Sequence, residues 1–487
     1  MPKVNLAIVG VSRDCFSIDL TKKRLSALED ACKANDQELF FCKTIIESEN
    51  DVVMALDEAT KAGANAAVIY LGNFGPEGPS TIFAEKFNGP VMLCGAAEES
   101  MNNLKDGRGD ALCGMLNASY NSILRNVPVY IPGRPIGLPD KLAQEIKYFH
   151  TLAKVAIGVK NLKIMGFGPR PHDFYACNAP LQPLYDLGIE VMENSELDLL
   201  QLFEAVREDD PDVKRVVEEM TEELGERNTY PDLLPRMARL EVALMRFFGD
   251  NLGTRKYGIF ASKCWPAFEK AFKFVPCYVN SRLAAQGIPV GCEVDIYGVL
   301  SEYICQLVSN QPATILDINN SVPADMADLT RPKRAPGDLF MGFHCGNTPS
   351  CHMKSCGLNY QLIMNRLMED GGEPDITRGT LEGQIKPGRV VLYRLQGNSE
   401  GKLHSYVAQG EVLDVDPRSF GGIGVFAVQG FERFYRHVLL GQGFPHHAAV
   451  AFGDYAKVLV DATKMLRIMP SYPKAAGERY EFENPYS

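Results

Sequence analysis

The sequence predicts an α/β protein: two doubly wound, Rossmann-like α/β domains followed by a β-rich, barrel-like C-terminal domain. Continuous apolar runs of strand length alternate with helix-patterned segments through residues 1–165. The alternation begins again in the segment Lys163 to Gly168. From about Thr348 the segments become short, turn-bounded and partly alternating, as in antiparallel sheet. Boundaries at 1–165, 166–338 and 339–487 follow, in keeping with ~150 residues per domain for a chain of 487.

In order along the chain, Val4 to Val11 reads as a first strand and Leu20 to Ala34 as a helix with Leu20, Leu25, Leu28, Ala31 and Cys32 on its apolar side. Leu39 to Lys43, Ala66 to Leu71 and Val91 to Cys94 continue as strands, with a helix over Asp51 to Lys61. Strands without polar alternation suit a sheet covered on both faces. The loops at their carboxyl ends carry Ser12-Arg13-Asp14, Gly72 to Gly75, and Gly95 to Ser100 with its pair Glu98-Glu99. Ligands collect at that edge, which makes Arg13 a candidate substrate contact. Neither Gly-rich loop has the spacing of a dinucleotide or P-loop fingerprint, so neither NAD nor ATP is expected.

A helix over Asp140 to Lys154 leads into the second alternation. The charged stretch Arg207 to Asn228 reads as a solvated helix pair or an excursion from the sheet, Leu240 to Phe248 as part of a long helix, and Tyr257 to Ala261 as a strand that leads to Ser262-Lys263-Cys264-Trp265-Pro266. Trp265 is the only tryptophan; it reads either as packing or as a wall for a sugar ring. The loop Arg331 to Gly337 reads as a linker, and Leu339 to Phe343 as a strand that opens on His344-Cys345-Gly346-Asn347, with Asn347 a further candidate contact. Short strands follow at Gly388 to Leu395, His404 to Ala408 and Gly410 to Asp416. Pro445-His446-His447 is read as the opening of a final helix that runs to about Met465.

A net charge of -11 with no basic run argues against nucleic acid and anionic membrane surfaces as partners. No run approaches a membrane span, and the first apolar stretch is too short for a signal peptide. Thirteen cysteines scattered through apolar segments read as reduced thiols, which points to the cytoplasm. Cys345, Cys351, His352 and Cys356 are close in sequence, but C-x5-C-H-x3-C matches no common zinc module.

The segment Pro289 to Asn320 carries the chemistry. It reads as a strand ending at Gly291-Cys292-Glu293, a helix with Ile296, Val299, Leu300, Tyr303, Ile304, Leu307 and Val308 apolar, and a strand ending at Asp317. In a βαβ unit of one parallel sheet, Glu293 and Asp317 would share the carboxyl edge. Each alone could simply cap the element that follows it. Two adjacent carboxylates repel unless a cation or a shared proton joins them. With His344 and His447 they make an oxygen and nitrogen ligand set without thiolate, which suits Mn²⁺ or a similar divalent ion such as Mg²⁺ or Co²⁺.

GCEVDIYG around Glu293, TILDINN around Asp317, GFPHHAAVAFGD and KCWPAF together resemble the L-fucose isomerase and L-arabinose isomerase family, and the likeness covers nearly the whole chain. That resemblance implies a metal-dependent aldose-ketose isomerase. It implies Glu293, Asp317 and His447 as metal ligands, with His446 as the alternative to His447 and His344 similar to an extra ligand of the arabinose branch. It also implies a homo-oligomer, trimer or hexamer. Isomerisation removes a proton α to a carbonyl through a cis-enediolate. A divalent ion on both oxygens stabilises the developing charge, and the acid/base pair Glu293 and Asp317 shuttles protons. Two alternatives stand beside this. One is an isomerase of a sulfonated or phosphorylated hexose, with Arg13, Arg170, His172 or Arg282 as the cationic contact; the other is a non-catalytic sugar-binding protein.

Overall fold

The computed structural model describes residues 1–105 and 107–480. The chain divides into two compact units, residues 2–157 and residues 158 onward together with Met1. In the first unit, strands β1 (Leu6–Val11), β2 (Phe40–Phe41), β3 (Ala66–Leu71), β4 (Val91–Ala96) and β5 (Ile136–Gly137) form a parallel sheet in the order β2-β1-β3-β4-β5. Every residue of β1, β3 and β4 is buried, as a sheet covered on both faces requires. Val9, Val11, Ile69, Leu93, Phe83 and Met115 belong to its core.

In the second unit, β6 (Leu162–Phe167), β7 (Glu190–Asn194), β8 (Tyr257–Ala261) and β9 (Val290–Gly291) form another parallel sheet, ordered β7-β6-β8-β9. The charged stretch resolves into the helix Pro211–Leu224, which buries Val213, Val216, Met220 and Leu224 against the helix Leu234–Asn251. The remaining strands are β10 (Thr314–Asn320), β11 (Leu339–His344), β12 (Met353–Tyr360), β13 (Arg378–Ile385), β14 (Gly388–Gly397), β15 (Leu403–Leu413), β16 (Gly422–Ala427), β17 (His447–Phe452) and β18 (Pro470–Ser471). They build a mixed sheet ordered β12-β13-β16-β11-β10-β17-β14-β15-β18. A further pairing of β15 with β16 brings β10, β11, β16, β15, β14 and β17 into a closed antiparallel circuit. Among the described residues no helix is long and apolar enough to cross a membrane.

Two local expectations change. The segment Pro289 to Asn320 is not a βαβ unit of one sheet, because β9 lies in the parallel sheet and β10 pairs antiparallel with β11 and β17. The intervening helix Ile296–Ser309 is buried along its whole length, Glu302 and Gln306 included, and packs against β8 and β9 as well as β14 and β17. A helix with sheet on two sides can connect strands of different sheets, a possibility that apolar periodicity does not reveal. The second change is at Pro445-His446-His447, which leads into β17 rather than a helix; the helix begins only at Ala456 and ends at Met465. The run His-Ala-Ala-Val-Ala-Phe lies between β10 and β14, and a short continuous apolar run fits a buried strand as well as it fits a helix.

Candidate functional site

Glu293 follows β9 directly, and its backbone leaves the strand by a route few residues tolerate. Glu293 lies at φ 51 and ψ 24, and Val294 after it at φ 56. Two successive non-glycine residues in the left-handed region, one of them β-branched, are costly and tend to occur where a site dictates the backbone. The Val294 N–H donates to the Ser262 carbonyl at 3.0 Å, and the Ser262 N–H donates to the Gly291 carbonyl at 2.9 Å, which ties the turn to the end of β8. Gly291 has no room for a side chain, since a Cβ would stand 2.7 Å from the Asp295 carbonyl oxygen. The turn therefore aims the Glu293 carboxylate out of the parallel sheet.

Asp317 arrives from the other sheet. On β10 it pairs with Phe343 of β11 and with His447 of β17. The His447 Nε2 atom stands 3.4 Å from Glu293 Oε2 and 3.4 Å from Asp317 Oδ1. Both of those oxygens are buried and have no hydrogen-bond partner among the described residues. His446 reaches Asp317 Oδ1 only at 3.6 Å and is about one-third exposed.

His447 is held from behind. Its Nδ1–H donates to Asp295 Oδ2 at 2.7 Å, and Asp295 receives Arg394 at both oxygens, at 2.5 and 2.9 Å. Asp295 also accepts the Gly298 N–H at 2.9 Å, so it caps the helix Ile296–Ser309. His447, Asp295 and Arg394 are 1 %, 1 % and 0 % exposed. Arg394 passes its second nitrogen to Gln396 Oε1 at 2.7 Å. Capping at this segment therefore belongs to Asp295, which leaves Glu293 and Asp317 free of that duty. Asp295 and Arg394, which hold His447 in place, are contacts that sequence reasoning missed. The available signals were an acid two residues beyond Glu293 and an arginine inside the apolar strand GRVVLYRL.

The charges follow from this packing. Burial, then the neighbouring Cys292 and Asp317, push Glu293 well above the usual carboxylate range. Asp317 is raised by burial, against the pull of His447. Burial also works on Asp295, but the Arg394 charge and the His447 hydrogen bond outweigh it and hold the carboxyl well below its ordinary range. For His447 burial favours the neutral ring, yet Asp295 and Asp317 raise it overall. With Nδ1–H committed to Asp295, His447 turns the lone pair of Nε2 toward two orphaned carboxylate oxygens. His447 thus stands between the two acids, and the trios whose ligand atoms lie within 4.8 Å of one another are Cys177, Glu293 and His447; Cys292, Glu293 and His344; and Asp317, His446 and His447. Carboxylate and imidazole donors suit a hard-to-borderline divalent ion such as Mn²⁺.

The remaining predicted residues are distributed as follows. His344, at the end of β11, is buried with its ring centroid 5.7 Å from that of His447, and a ring nitrogen, the Cys292 sulfur and a Glu293 oxygen lie within 4.8 Å of one another. Trp265 stands 6.2 Å from Phe174, ring to ring, and Phe174 meets His446 edge-on at 5.3 Å. This aromatic wall adjoins the paired histidines, and Phe174 in it gave no sequence signal. His172 approaches Trp265 at 6.1 Å, and the Arg170 guanidinium lies 4.4 Å over the Tyr175 ring. Asn347 is buried with Oδ1 unpartnered. Arg13 belongs to the unit 2–157, where it ion-pairs with Glu77 and lies over Phe74. Arg282 is not free for an anionic ligand, because Glu219, Glu223 and Glu241 all pair with it. His352 bonds the Pro312 carbonyl and stacks on Phe452, while Cys351 is exposed.

Residues 7–160 match the family described as fucose/sulfoquinovose isomerase, N-terminal domain, and residues 342–472 match L-fucose isomerase, C-terminal domain. Among curated proteins, the chain is 22% identical over 480 residues to a sulfoquinovose isomerase of Priestia aryabhattai, covering 96% of this chain and 99% of that protein. Sulfoquinovose isomerases of Clostridium sp. (strain MSTE9) and Alkalicoccus urumqiensis are 26% identical over 342 residues and 25% over 315. Those alignments cover 68% and 64% of this chain, and 70% and 64% of the two relatives.

Proposed function

The chain belongs to the fucose/sulfoquinovose isomerase family of aldose-ketose isomerases, and from that premise we propose that Glu293, Asp317 and His447 form its metal-assisted active site. The observation that carries this reading is the single His447 nitrogen 3.4 Å from two unpartnered carboxylate oxygens. Those three residues would hold the ion, Mn²⁺ in the first instance. When bound, a divalent cation supplies charge stabilisation for the oxygens on which negative charge develops.

The protein's own groups do the rest. One carboxylate of the pair Glu293 and Asp317 takes the proton from C2 of the aldose and returns it to C1; the other moves the hydroxyl proton between the two oxygens. Asp295 fixes the orientation of His447 so that only Nε2 faces the site. Trp265, Phe174 and His446 offer the sugar an apolar and aromatic surface that keeps water from the cis-enediolate. Asn347 is a further substrate contact in this reading.

A second reading concerns the substrate. The names of the relatives favour a sulfonated hexose, and Arg170, whose guanidinium donates to the carbonyl of His172 beside Trp265, is the charge proposed to receive such an anion. The likeness also supports an N-terminal domain over about 1–165 and a barrel-like C-terminal one, to which β10 contributes from before residue 339. Thirteen free thiols support a reducing, cytoplasmic setting. For association of copies the support is the uncharged helix Ala111–Leu124, which leaves Leu112, Leu116, Tyr120, Ile123 and Leu124 exposed along one stretch, and a trimer or hexamer is what the resemblance implies.

The test is ketose formation from neutral aldoses and a sulfonated aldose, with Mn²⁺ and with chelator. Activity lost to chelator and restored by Mn²⁺, and absent in Glu293→Gln, is expected. Turnover that survives both chelator and Glu293→Gln would overturn the site.

A further inference from the structure

We propose that His344 serves the reaction as a neutral Nε2–H donor to a reacting oxygen of the substrate and does not coordinate the cation. This rests on the isomerase reading above and deepens it. The Cys345 backbone N–H points at His344 Nδ1 at 2.9 Å. A backbone amide can only donate, so Nδ1 must accept. A neutral imidazole carries one proton, and here it must be on Nε2.

Coordination through Nε2 would move that proton to Nδ1. It would then face the Cys345 N–H donor to donor inside a residue that is 3 % exposed. A buried donor robbed of its acceptor is expensive. His447 shows the opposite arrangement in the same pocket, with Nδ1–H donated to Asp295 and Nε2 left as a lone pair. The two imidazoles, 5.7 Å apart by ring centroid, are thus fixed as opposite tautomers by their outer partners. One is built as a ligand and the other as a donor.

The chemistry gives that donor a use. Negative charge grows on the carbonyl oxygen as the C2 proton leaves, and a preorganised neutral imidazole N–H is suited to meet it. Its neighbours, the Glu293 carboxylate and the Cys292 thiol, line the same space.

The decisive measurement uses the wild-type protein loaded with Mn²⁺, with histidine labelled with ¹⁵N, and read by pulsed electron paramagnetic resonance. One directly coordinated imidazole nitrogen is expected; two would overturn the proposal. A wild type that binds no Mn²⁺ at all would instead sink the site reading, and this inference with it. In parallel, His344→Ala should keep its Mn²⁺ Kd within ~3-fold while kcat falls ~100-fold, the scale of one lost donor to a developing oxyanion. His344→Gln, whose amide nitrogen can still donate, should recover part of that loss. A Mn²⁺ affinity that drops ~100-fold in His344→Ala, or a kcat that does not change, would refute the donor role.

Discussion

Asp295 Oδ2 accepts the Nδ1–H of His447 at 2.7 Å across 152 residues of chain, and the same carboxylate receives Arg394 at both oxygens. Buried charge of this kind is stable only when every partner is present. The proposed site thus rests on Asp295 and Arg394 behind His447, and that dependence can be measured.

Asp295→Asn keeps the size of the side chain but removes the charge that orients His447. Mn²⁺ affinity should fall ~10- to 100-fold with the fold intact by circular dichroism. Isothermal titration decides it, and wild-type affinity would mean that His447 needs no outer partner.

Gly298→Ala acts on the same layer without altering any polar group. A Cβ there would stand 2.3 Å from Asp295 Oδ2 and 2.7 Å from an Arg394 nitrogen. The carboxylate must shift, so this variant should also lose metal affinity, in the direction of Asp295→Asn. Full retention would show that the pocket behind His447 yields easily.

Arg394→Met leaves Asp295 as a buried anion without its cation. Removing one partner of a buried pair costs about 3–5 kcal/mol. Urea denaturation of the metal-free protein should report a loss of that order, and a variant as stable as wild type would contradict the assignment of Arg394 as the compensating charge.

Glu269 offers a pH test on a residue outside the proposed ligand set. It is 0 % exposed, neither carboxylate oxygen has a hydrogen-bond partner among the described residues, and burial raises its pKa from 4.5 to about 8. Below pH 4.5 both the folded and the unfolded chain hold the proton. Between there and about pH 8 the unfolded chain releases it and the folded chain keeps it, so this contribution to stability is lost as pH rises, by up to about 1.4 kcal/mol per pH unit. Glu269→Gln should flatten the decline in melting temperature of the metal-free protein between pH 5 and 8. Equal slopes in the two proteins would count against it.

Leu116→Asp combined with Tyr120→Asp places charge on the exposed apolar helix face. If copies of the chain meet there, light scattering should report a smaller species than wild type. An unchanged mass would move the contact elsewhere.

Much of this fold is legible in the sequence because it is local. The buried strands β1, β3 and β4 announce themselves as unbroken apolar runs, and β8 opens on the Trp265 loop as its composition suggests. Glu293 and Asp317 each come within 3.4 Å of His447, but not by the single parallel sheet that the sequence suggests. They come from two sheets on either side of the buried helix Ile296–Ser309. Asp295 and Arg394 escape notice because their meaning lies in a contact between residues 99 apart in the chain. The strand β17 is misread because six apolar-leaning residues do not carry enough periodicity to separate two geometries.

His446 and His447 are the same molecule twice, and nothing in their chemistry tells them apart. The distinction comes from the frame in which β10 and β17 zip together, Thr314 against Val450 at one end and Asp317 against His447 at the other. A slip of one residue would reverse the outlook of every side chain on the strand and deprive Asp295 of its partner. The alanines and valine after the paired histidines thus act as a ruler, and a bulky replacement among them could silence the enzyme while every reactive group remained in the chain.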